Sequence, residues 1–314
     1  MNIWEILLQV LLLVVGFSML VKGADWFVDG AAGIAEKFGI PQLVVGLTIV
    51  AMGTSAPEAA VSITAALKGN AGIAVGNVVG SNILNILIIL GLTGLITSVA
   101  VQKSTLFYEI PYMLIVTLVL LFMGMQGNSV NFVEGIIFWI MFIMYLAYLF
   151  MMAKKGKQSA EESKENRPVW KLLLWGVLGG VVVVWGSNIT VDSATALAEA
   201  IGLSEKFIGL TIVALGTSLP ELVTSVTAAK KGNADIAIGN IVGSNIFNIL
   251  FVLGTSALII PITFEPSFVI DSIIAVAAGV LLWIAIVKSK KLTRPWGILM
   301  LVGYAAYFVY LCVM

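Results

Sequence analysis

Histidine is absent from this chain, and cysteine occurs once, at Cys312. Without imidazole there is neither a histidine metal site nor a histidine proton relay, and a lone thiol cannot close an internal disulfide. Charge is scarce as well. Charged residues make up 11% of the 314, with 17 basic against 17 acidic and no formal net charge. The basic residues lie between or at the ends of apolar stretches and form no continuous patch, which excludes nucleic acid as a partner. What fills the chain is apolar: 60% of residues are hydrophobic and the mean hydropathy is +1.07, against an apolar share of about 45–50% in soluble domains. Such a chain belongs in a lipid bilayer, and its polar chemistry rests on oxygen ligands.

A spanning helix needs about 20 mostly apolar residues. Ten segments qualify: 4–24, 41–67, 71–97, 105–125, 131–153, 169–190, 204–229, 234–260, 267–287 and 294–313. The expected fold is therefore an all-α integral membrane protein of ten transmembrane helices. The apolar start, Met1 to Met19, has no preceding Lys or Arg and no small-residue cleavage pattern behind it, so it reads as a first span and not a signal peptide. Lys154 to Pro168 is rich in Lys, Glu and Ser and cannot bury apolar area. It divides the chain into a first five-helix unit, 1–153, a short linker, 154–168, and a second five-helix unit, 169–314. Lysine and arginine gather on the cytoplasmic side of membrane proteins. Fifteen of the 17 fall on the side of the linker, and Lys68 and Lys206 on the other. That asymmetry predicts a cytoplasmic linker with both termini outside.

Gly46 to Leu87 aligns without gaps on Gly209 to Leu250 at a constant offset of 163, with 31 of 42 positions identical. Each unit holds an odd number of spans, so the second copy enters the membrane from the opposite side. This is the inverted-repeat plan of secondary transporters, which bind their substrate near the midplane on interrupted helices. The interruptions are visible as Gly53-Thr54-Ser55-Ala56-Pro57-Glu58 and Gly216-Thr217-Ser218-Leu219-Pro220-Glu221. Proline removes a backbone donor and clashes with the preceding turn, so helices 2 and 7 are expected to break there. The carbonyls around Ala51 and Ala214 then become candidate ligands.

A carboxylate near the bilayer centre costs at least about 2.5–3.5 kcal/mol and normally pairs with something. No Lys or Arg lies at the depth of Glu58 and Glu221, so a bound cation or a proton must balance them. Gly80-Ser81-Asn82 with Asn85 recurs as Gly243-Ser244-Asn245 with Asn248, and residues four apart on a helix share a face. Together with Thr54, Ser55, Thr217 and Ser218 these side chains surround two carboxylates with neutral oxygens. Ca²⁺ accepts such a set with a tolerant geometry, whereas Mg²⁺ demands a tight octahedron; Ca²⁺ and Na⁺ are the natural candidates.

The two Gly-Thr-Ser-x-Pro-Glu motifs, each followed by Gly-Asn-x-Val-Gly-Ser-Asn-x-x-Asn, resemble the alpha repeats of the sodium/calcium exchanger family, within the cation/calcium antiporter superfamily. The resemblance implies two inverted halves and alternating access, with several Na⁺ moving against one Ca²⁺. It implies Glu58 and Glu221 as central ligands shared by both ions. Hydroxyl or backbone oxygens would come from Thr54, Ser55, Ser81, Thr217, Ser218 and Ser244, and carbonyls from Ala51 and Ala214. Some family members, potassium-dependent ones among them, carry aspartate where this chain has Asn248, which speaks against K⁺ co-transport here. The short linker does not resemble the large regulatory loop of animal exchangers, so the chain looks like a compact prokaryotic-type member of the inner membrane.

The expected activity is thus secondary antiport of Na⁺ against Ca²⁺, with no enzymatic step, no cofactor and no obligatory protein partner. A proton/Ca²⁺ or other divalent-cation antiporter is the nearest alternative, and a cation channel a more distant one. An intramembrane hydrolase is disfavoured, since Ser55 and Ser218 have no histidine or lysine base at their depth. The first and sixth helices are expected to slide across the core during transport, their close contact permitted by Gly16, Gly23, Gly176, Gly179, Gly180 and Gly186. Asp29 and Asp192, which also match across the repeat, are read as solvated or capping residues. Glu109 and Glu134 are read as first-turn acids suited to the helix dipole. Gly76, Gly80, Gly239 and Gly243 are read as packing positions.

Overall fold

The protein was analysed as a computed structural model, which describes residues 3–69, 71–158, 165–202 and 214–313. Among these residues, eight helices are long and apolar enough to cross a membrane: α1 (Ile3–Phe38), α4 (Gly72–Ile96), α5 (Thr105–Gly127), α6 (Phe132–Gly156), α7 (Val169–Ala200), α10 (Ala234–Ile259), α11 (Pro266–Val287) and α12 (Arg294–Cys312). A bent pair, α2 (Gln42–Thr54) and α3 (Ala56–Leu67), set at 51°, is long and apolar enough when its two parts are taken together. Two shorter helices, α8 (Ala214–Thr217) and α9 (Leu219–Lys230), carry the second interrupted motif. The start of the expected seventh span, 204–213, lies outside the described residues.

Two expected spans are longer than predicted. The α1 helix continues from the expected end at 24 to Phe38, and α7 from 190 to Ala200. At about 1.5 Å per residue, the 36 residues of α1 reach about 54 Å, well beyond a hydrocarbon core about 30 Å thick. Hydropathy fades at Asp25, but a buried stripe of Phe27, Val28, Ala31 and Ala35 keeps the helix packed past that point. Lys231 forms ion pairs with Asp25 at 3.3 Å and Asp29 at 2.8 Å. Asp29 is therefore half-exposed and paired, more specifically engaged than a freely solvated end residue.

The α1 and α7 helices run antiparallel along a seam of glycines. A methyl group on Gly23 would lie 2.8 Å from the Val183 amide nitrogen, and one on Gly30 would lie 2.5 Å from that of Gly176. Gly186 faces the Gly16 carbonyl in the same way, at 2.9 Å. Backbone-to-backbone approach of this kind requires glycine on the facing turns.

The centre of the molecule is built on α4 and α10, one from each half of the chain. Their spans are 72% and 94% buried, against 11% for α1. Buried asparagines join them. The Asn82 amide donates to the Asn245 carbonyl and the Asn245 amide to the Asn82 carbonyl, both at 3.1 Å. Asn85 donates to Asn245 Oδ1 at 2.9 Å, and Asn248 to Asn82 Oδ1 at 3.2 Å. Losing one partner leaves buried donors and acceptors unpaired at about 1–3 kcal/mol each. Asn245→Leu is expected to lower the thermal midpoint in detergent by several degrees, and Asn82→Leu likewise. The double variant should cost less than the two losses added, because both changes break one shared network.

Short pairings sort the connections onto two faces. β1 (Val99–Ala100) pairs antiparallel with β4 (Lys291–Leu292), and β2 (Ser129–Val130) with β3 (Ile262–Thr263). On the β1–β4 face the Lys37 ammonium also donates to the Glu165 carbonyl at 2.9 Å, and Gln102 donates to Asp235 at 2.6 Å. Lysine and arginine crowd this face. Trp4 and Trp170, near the ends of their spans, are exposed.

Candidate functional site

Both interrupted motifs break the helix at the serine. Ser55 has φ −82° and ψ 8°, and Ser218 φ −91° and ψ 4°, away from ideal helix values. Pro57 and Pro220 follow in the first turn of α3 and α9, so each new helix begins directly before its glutamate. Glu58 and Glu221 thus stand at helix N-termini, where unpaired N–H groups and the dipole favour negative charge. Proline withholds its bond from the carbonyl four residues earlier, which is Gly53 in the first motif and Gly216 in the second. The Gly216 carbonyl is recovered by the Ser187 hydroxyl at 2.7 Å.

This corrects the expectation for Ala51. Its carbonyl accepts the Ser55 N–H at 3.0 Å and the Ser244 hydroxyl at 3.4 Å, so the helix break does not leave it free. Ala214 opens the short helix α8.

The two motifs meet. The Ser55 hydroxyl donates to Glu221 Oε1 at 2.7 Å, and the Ser218 hydroxyl to Glu58 Oε1 at 3.2 Å. Each break therefore holds the carboxylate of the other repeat. Thr54 hydrogen-bonds Asn240 Oδ1 at 3.0 Å. Asn77 donates to the Glu58 carbonyl and to the Ser62 hydroxyl, and Asn240 repeats that pair with the Glu221 carbonyl and the Ser225 hydroxyl. Glu58 and Glu221 are 1% and 0% exposed, and no ion pair reaches either one among the described residues.

Four buried oxygens are left without a partner in two symmetric pairs: Glu58 and Glu221 Oε2, and Asn85 and Asn248 Oδ1. Asn85 and Asn248 begin π-helical turns, Asn85–Leu90 and Asn248–Leu253. Each turn packs against the glutamate helix of the other repeat, the first on α9 and the second on α3. None of the four atoms carries a proton when the glutamates are ionised. Buried oxygen atoms without a donor are costly, and a cation is one partner that would satisfy them.

The sodium/calcium exchanger protein family matches residues 8–151 and 171–313. The chain belongs to this family. CaxA of Alkalimonas amylolytica is 38% identical over 312 residues, covering 96% of this chain and 98% of CaxA. The sodium/calcium exchanger MaX1 of Methanosarcina acetivorans is 33% identical over 342 residues, covering 96% of this chain and 97% of its own. A structure of the sodium-calcium exchanger NCX_Mj, soaked with Na⁺ and Sr²⁺, superposes with a TM-score of 0.85 at 33% identity, covering 97% of this chain and 99% of that one.

Of the residues singled out in this exchanger-family sequence, Thr54, Ser55, Glu58, Ser218, Glu221, Ser244, Asn85 and Asn248 form the buried network just described, and Ser81 is buried on α4. Thr217 lies beside the Glu58 carboxyl and is partly exposed on a cleft of ≈ 410 Å³ also lined by Ala56, Pro57, Ser187, Asn188 and Asp192. The sequence assigned no role to Asn77 and Asn240, although both lie within the quoted motif. Only packing reveals that Asn82 and Asn245 bond to each other across the repeats, that Asn240 meets Thr54 of the other repeat, and that Asn77 bonds within its own.

A second cleft, of ≈ 460 Å³, is lined by Val21, Asp25, Leu222, Val223 and Lys231. Val21, Asp25 and Val223 stand 163 residues from Val184, Asn188 and Ala60 of the first cleft, so the clefts occupy related places in the two halves. They differ in depth. The first touches both breaks, at Pro57 and Thr217. In the second region Leu219 and Val223, past the break at Ser218, pack on Leu20, Ala24 and Val183. Neither cleft is lined by Glu58 or Glu221.

Proposed function

We propose that this protein is a secondary antiporter that exchanges Na⁺ for Ca²⁺ by alternating access at the paired glutamates. The observation that carries the reading is the set of four unpartnered, fully buried acceptor oxygens on Glu58, Glu221, Asn85 and Asn248. Two ionised carboxylates match one Ca²⁺ in charge, and amide and hydroxyl oxygens fill out the 6–8 ligands that Ca²⁺ takes. Thr54, Ser55, Ser81, Thr217, Ser218 and Ser244 supply hydroxyl or backbone oxygens, and Ala214 supplies a carbonyl. The names of MaX1 and NCX_Mj as sodium/calcium exchangers support the same ion pair.

In this reading the chain has ten spans in two inverted five-helix units, 1–153 and 169–314, joined by the linker 154–168. The mirrored hydrogen bonds of the two motifs support it. The lysine-rich β1–β4 face is cytoplasmic and both termini lie outside, in a prokaryotic inner membrane. The cleft that reaches Pro57 and Thr217 then opens outward, and the plug of Leu219 and Val223 closes the inner path. Rocking or sliding of α1 and α7 along their glycine seam exchanges these two conditions. An empty site would leave two carboxylates ionised and uncompensated away from water, so the change of facing runs only with cations bound. Exchange follows from that restriction.

The test is radiocalcium uptake into proteoliposomes with an outward Na⁺ gradient at clamped pH. Uptake that requires internal Na⁺ and saturates with Ca²⁺ is the expected result. Uptake driven equally well by a proton gradient would assign proton/Ca²⁺ antiport instead, and non-saturating flux independent of any counter-ion would assign a channel.

A further inference from the structure

A third buried carboxylate stands outside the central site. Glu109 ends the π-helical turn Thr105–Glu109, in the first turns of its span as read from the sequence, and is 1% exposed. Glu134, by contrast, does cap its helix, accepting the Asn131 N–H at 2.7 Å. The Glu109 carboxyl accepts a hydrogen bond from the Tyr148 hydroxyl. Its second oxygen, Oε2, is buried without a partner, and no ion pair reaches it among the described residues.

Glu109 lines a cavity of ≈ 360 Å³ walled by Tyr108, Tyr112, Tyr145 and Tyr148. The Tyr112 and Tyr145 rings are stacked at 5.6 Å. Tyr112 donates its hydroxyl proton to the Met141 carbonyl at 2.8 Å, and Tyr145 to the Leu47 carbonyl at 3.5 Å. With the Tyr148 proton given to Glu109, none of these three hydroxyls has a proton left to donate into the cavity their rings line. Negative ring faces around a carboxylate make a receptor for a cation.

The kind of cation follows from the walls. One free carboxylate oxygen falls far short of the 6–8 ligands of Ca²⁺, whereas aromatic faces suit an organic ammonium. The unpartnered Oε2 calls for a hydrogen-bond donor, which a primary ammonium has and a trimethylammonium lacks. The cavity wall includes Phe107 and Met144, which are 59% and 64% exposed on the apolar flank of α5 and α6. The opening therefore faces lipid chains and not an aqueous vestibule. Lys154 is exposed six residues beyond Tyr148 on the same helix, about 9 Å along the axis, within range of a headgroup phosphate.

We propose that Glu109 and the four tyrosines bind the primary ammonium of a phosphatidylethanolamine headgroup. Native mass spectrometry of the full chain in detergent, titrated with short-chain phosphatidylethanolamine, phosphatidylcholine or phosphatidylglycerol, tests it. The ethanolamine lipid is expected to be retained at least about tenfold more tightly than the others. Glu109→Gln, and separately Tyr148→Phe, should abolish that preference while leaving the lipid-free melting temperature of the variant near that of wild type. Equal retention of the three lipids by the wild-type chain overturns the proposal without reference to any variant. So does an undiminished preference in Glu109→Gln, or free ethanolamine binding as tightly as the lipid, which would make the site one for soluble amines.

Discussion

Proteoliposomes carrying the Glu58→Gln, Glu221→Gln double variant are expected to lose Na⁺-driven calcium uptake by at least about a hundredfold, since an unpaired buried charge costs several kcal/mol. With both carboxylates neutral, a buried Ca²⁺ has only dipoles for company, and the charge match of the pair is gone. Either single variant leaves one carboxylate against two positive charges, so it too should fall below a tenth of wild-type uptake, about 1.4 kcal/mol or more. Glutamine keeps the shape and can still accept from Ser218 or Ser55, which hold Oε1 at 3.2 and 2.7 Å. The variants should therefore reach the membrane and melt near the wild-type temperature. Calcium binding by the purified protein provides a readout independent of transport, and should vanish with uptake. A double variant that transports normally would remove the glutamates from the site and leave the family assignment standing.

Gly179→Ala is expected to cripple the protein, and Gly180→Ala to leave it nearly intact. A methyl on Gly179 would sit 2.3 Å from the Phe27 amide nitrogen and 2.7 Å from the Gly23 carbonyl. Both are backbone atoms of α1 and cannot turn aside, so the two helices must part. Overpacking of this kind costs about 1–3 kcal/mol. One residue on, a methyl on Gly180 would rest 3.7 Å from the Phe27 ring, an ordinary contact. Melting temperature and Na⁺-driven uptake measured on the same preparations separate the causes. If α1 and α7 only hold the fold together, the Gly179 variant melts early, but the folded fraction transports at the wild-type rate. If they move during transport, the folded fraction is slow as well, by about tenfold or more for each 1.4 kcal/mol added to the barrier. Equal behaviour of the two alanine variants would refute the importance of the seam.

The interrupted helices were legible because proline acts locally. The break at Ser55 and Ser218 needs only the missing N–H of Pro57 and Pro220. The identity of the affected carbonyl was displaced by two residues, from Ala51 to Gly53, because the bond that proline withholds runs four residues back, while Ala51 keeps its bond from Ser55. Hydropathy found the apolar part of α1 but not its extension to Phe38, since that part is held by one packed stripe and by Lys231, which is distant in the chain. Gly239 and Gly243 are packing positions as read, lying against Leu43 and Leu47 backbone on the facing span. The burial of Glu109 was not legible for the opposite reason: a first-turn position describes its place on a helix, and burial depends also on Tyr145 and Tyr148 of another helix.

Composition, the 163-residue offset and the two Pro-Glu motifs settled the membrane setting and the internal repeat, and named the residues on which the proposed cation site is built. These are properties of neighbours in the chain and of hydrophobic period, and they need no knowledge of what packs on what. Tertiary structure alone decided which groups face each other. That Ser55 holds Glu221 and Ser218 holds Glu58, that asparagines lock α4 to α10, and that four acceptor oxygens are left over, all depend on pairs about 160 residues apart. A hydrogen bond between such residues is specified by the packing of whole helices, because the local pattern fixes what each side chain can donate or accept but not the partner it meets.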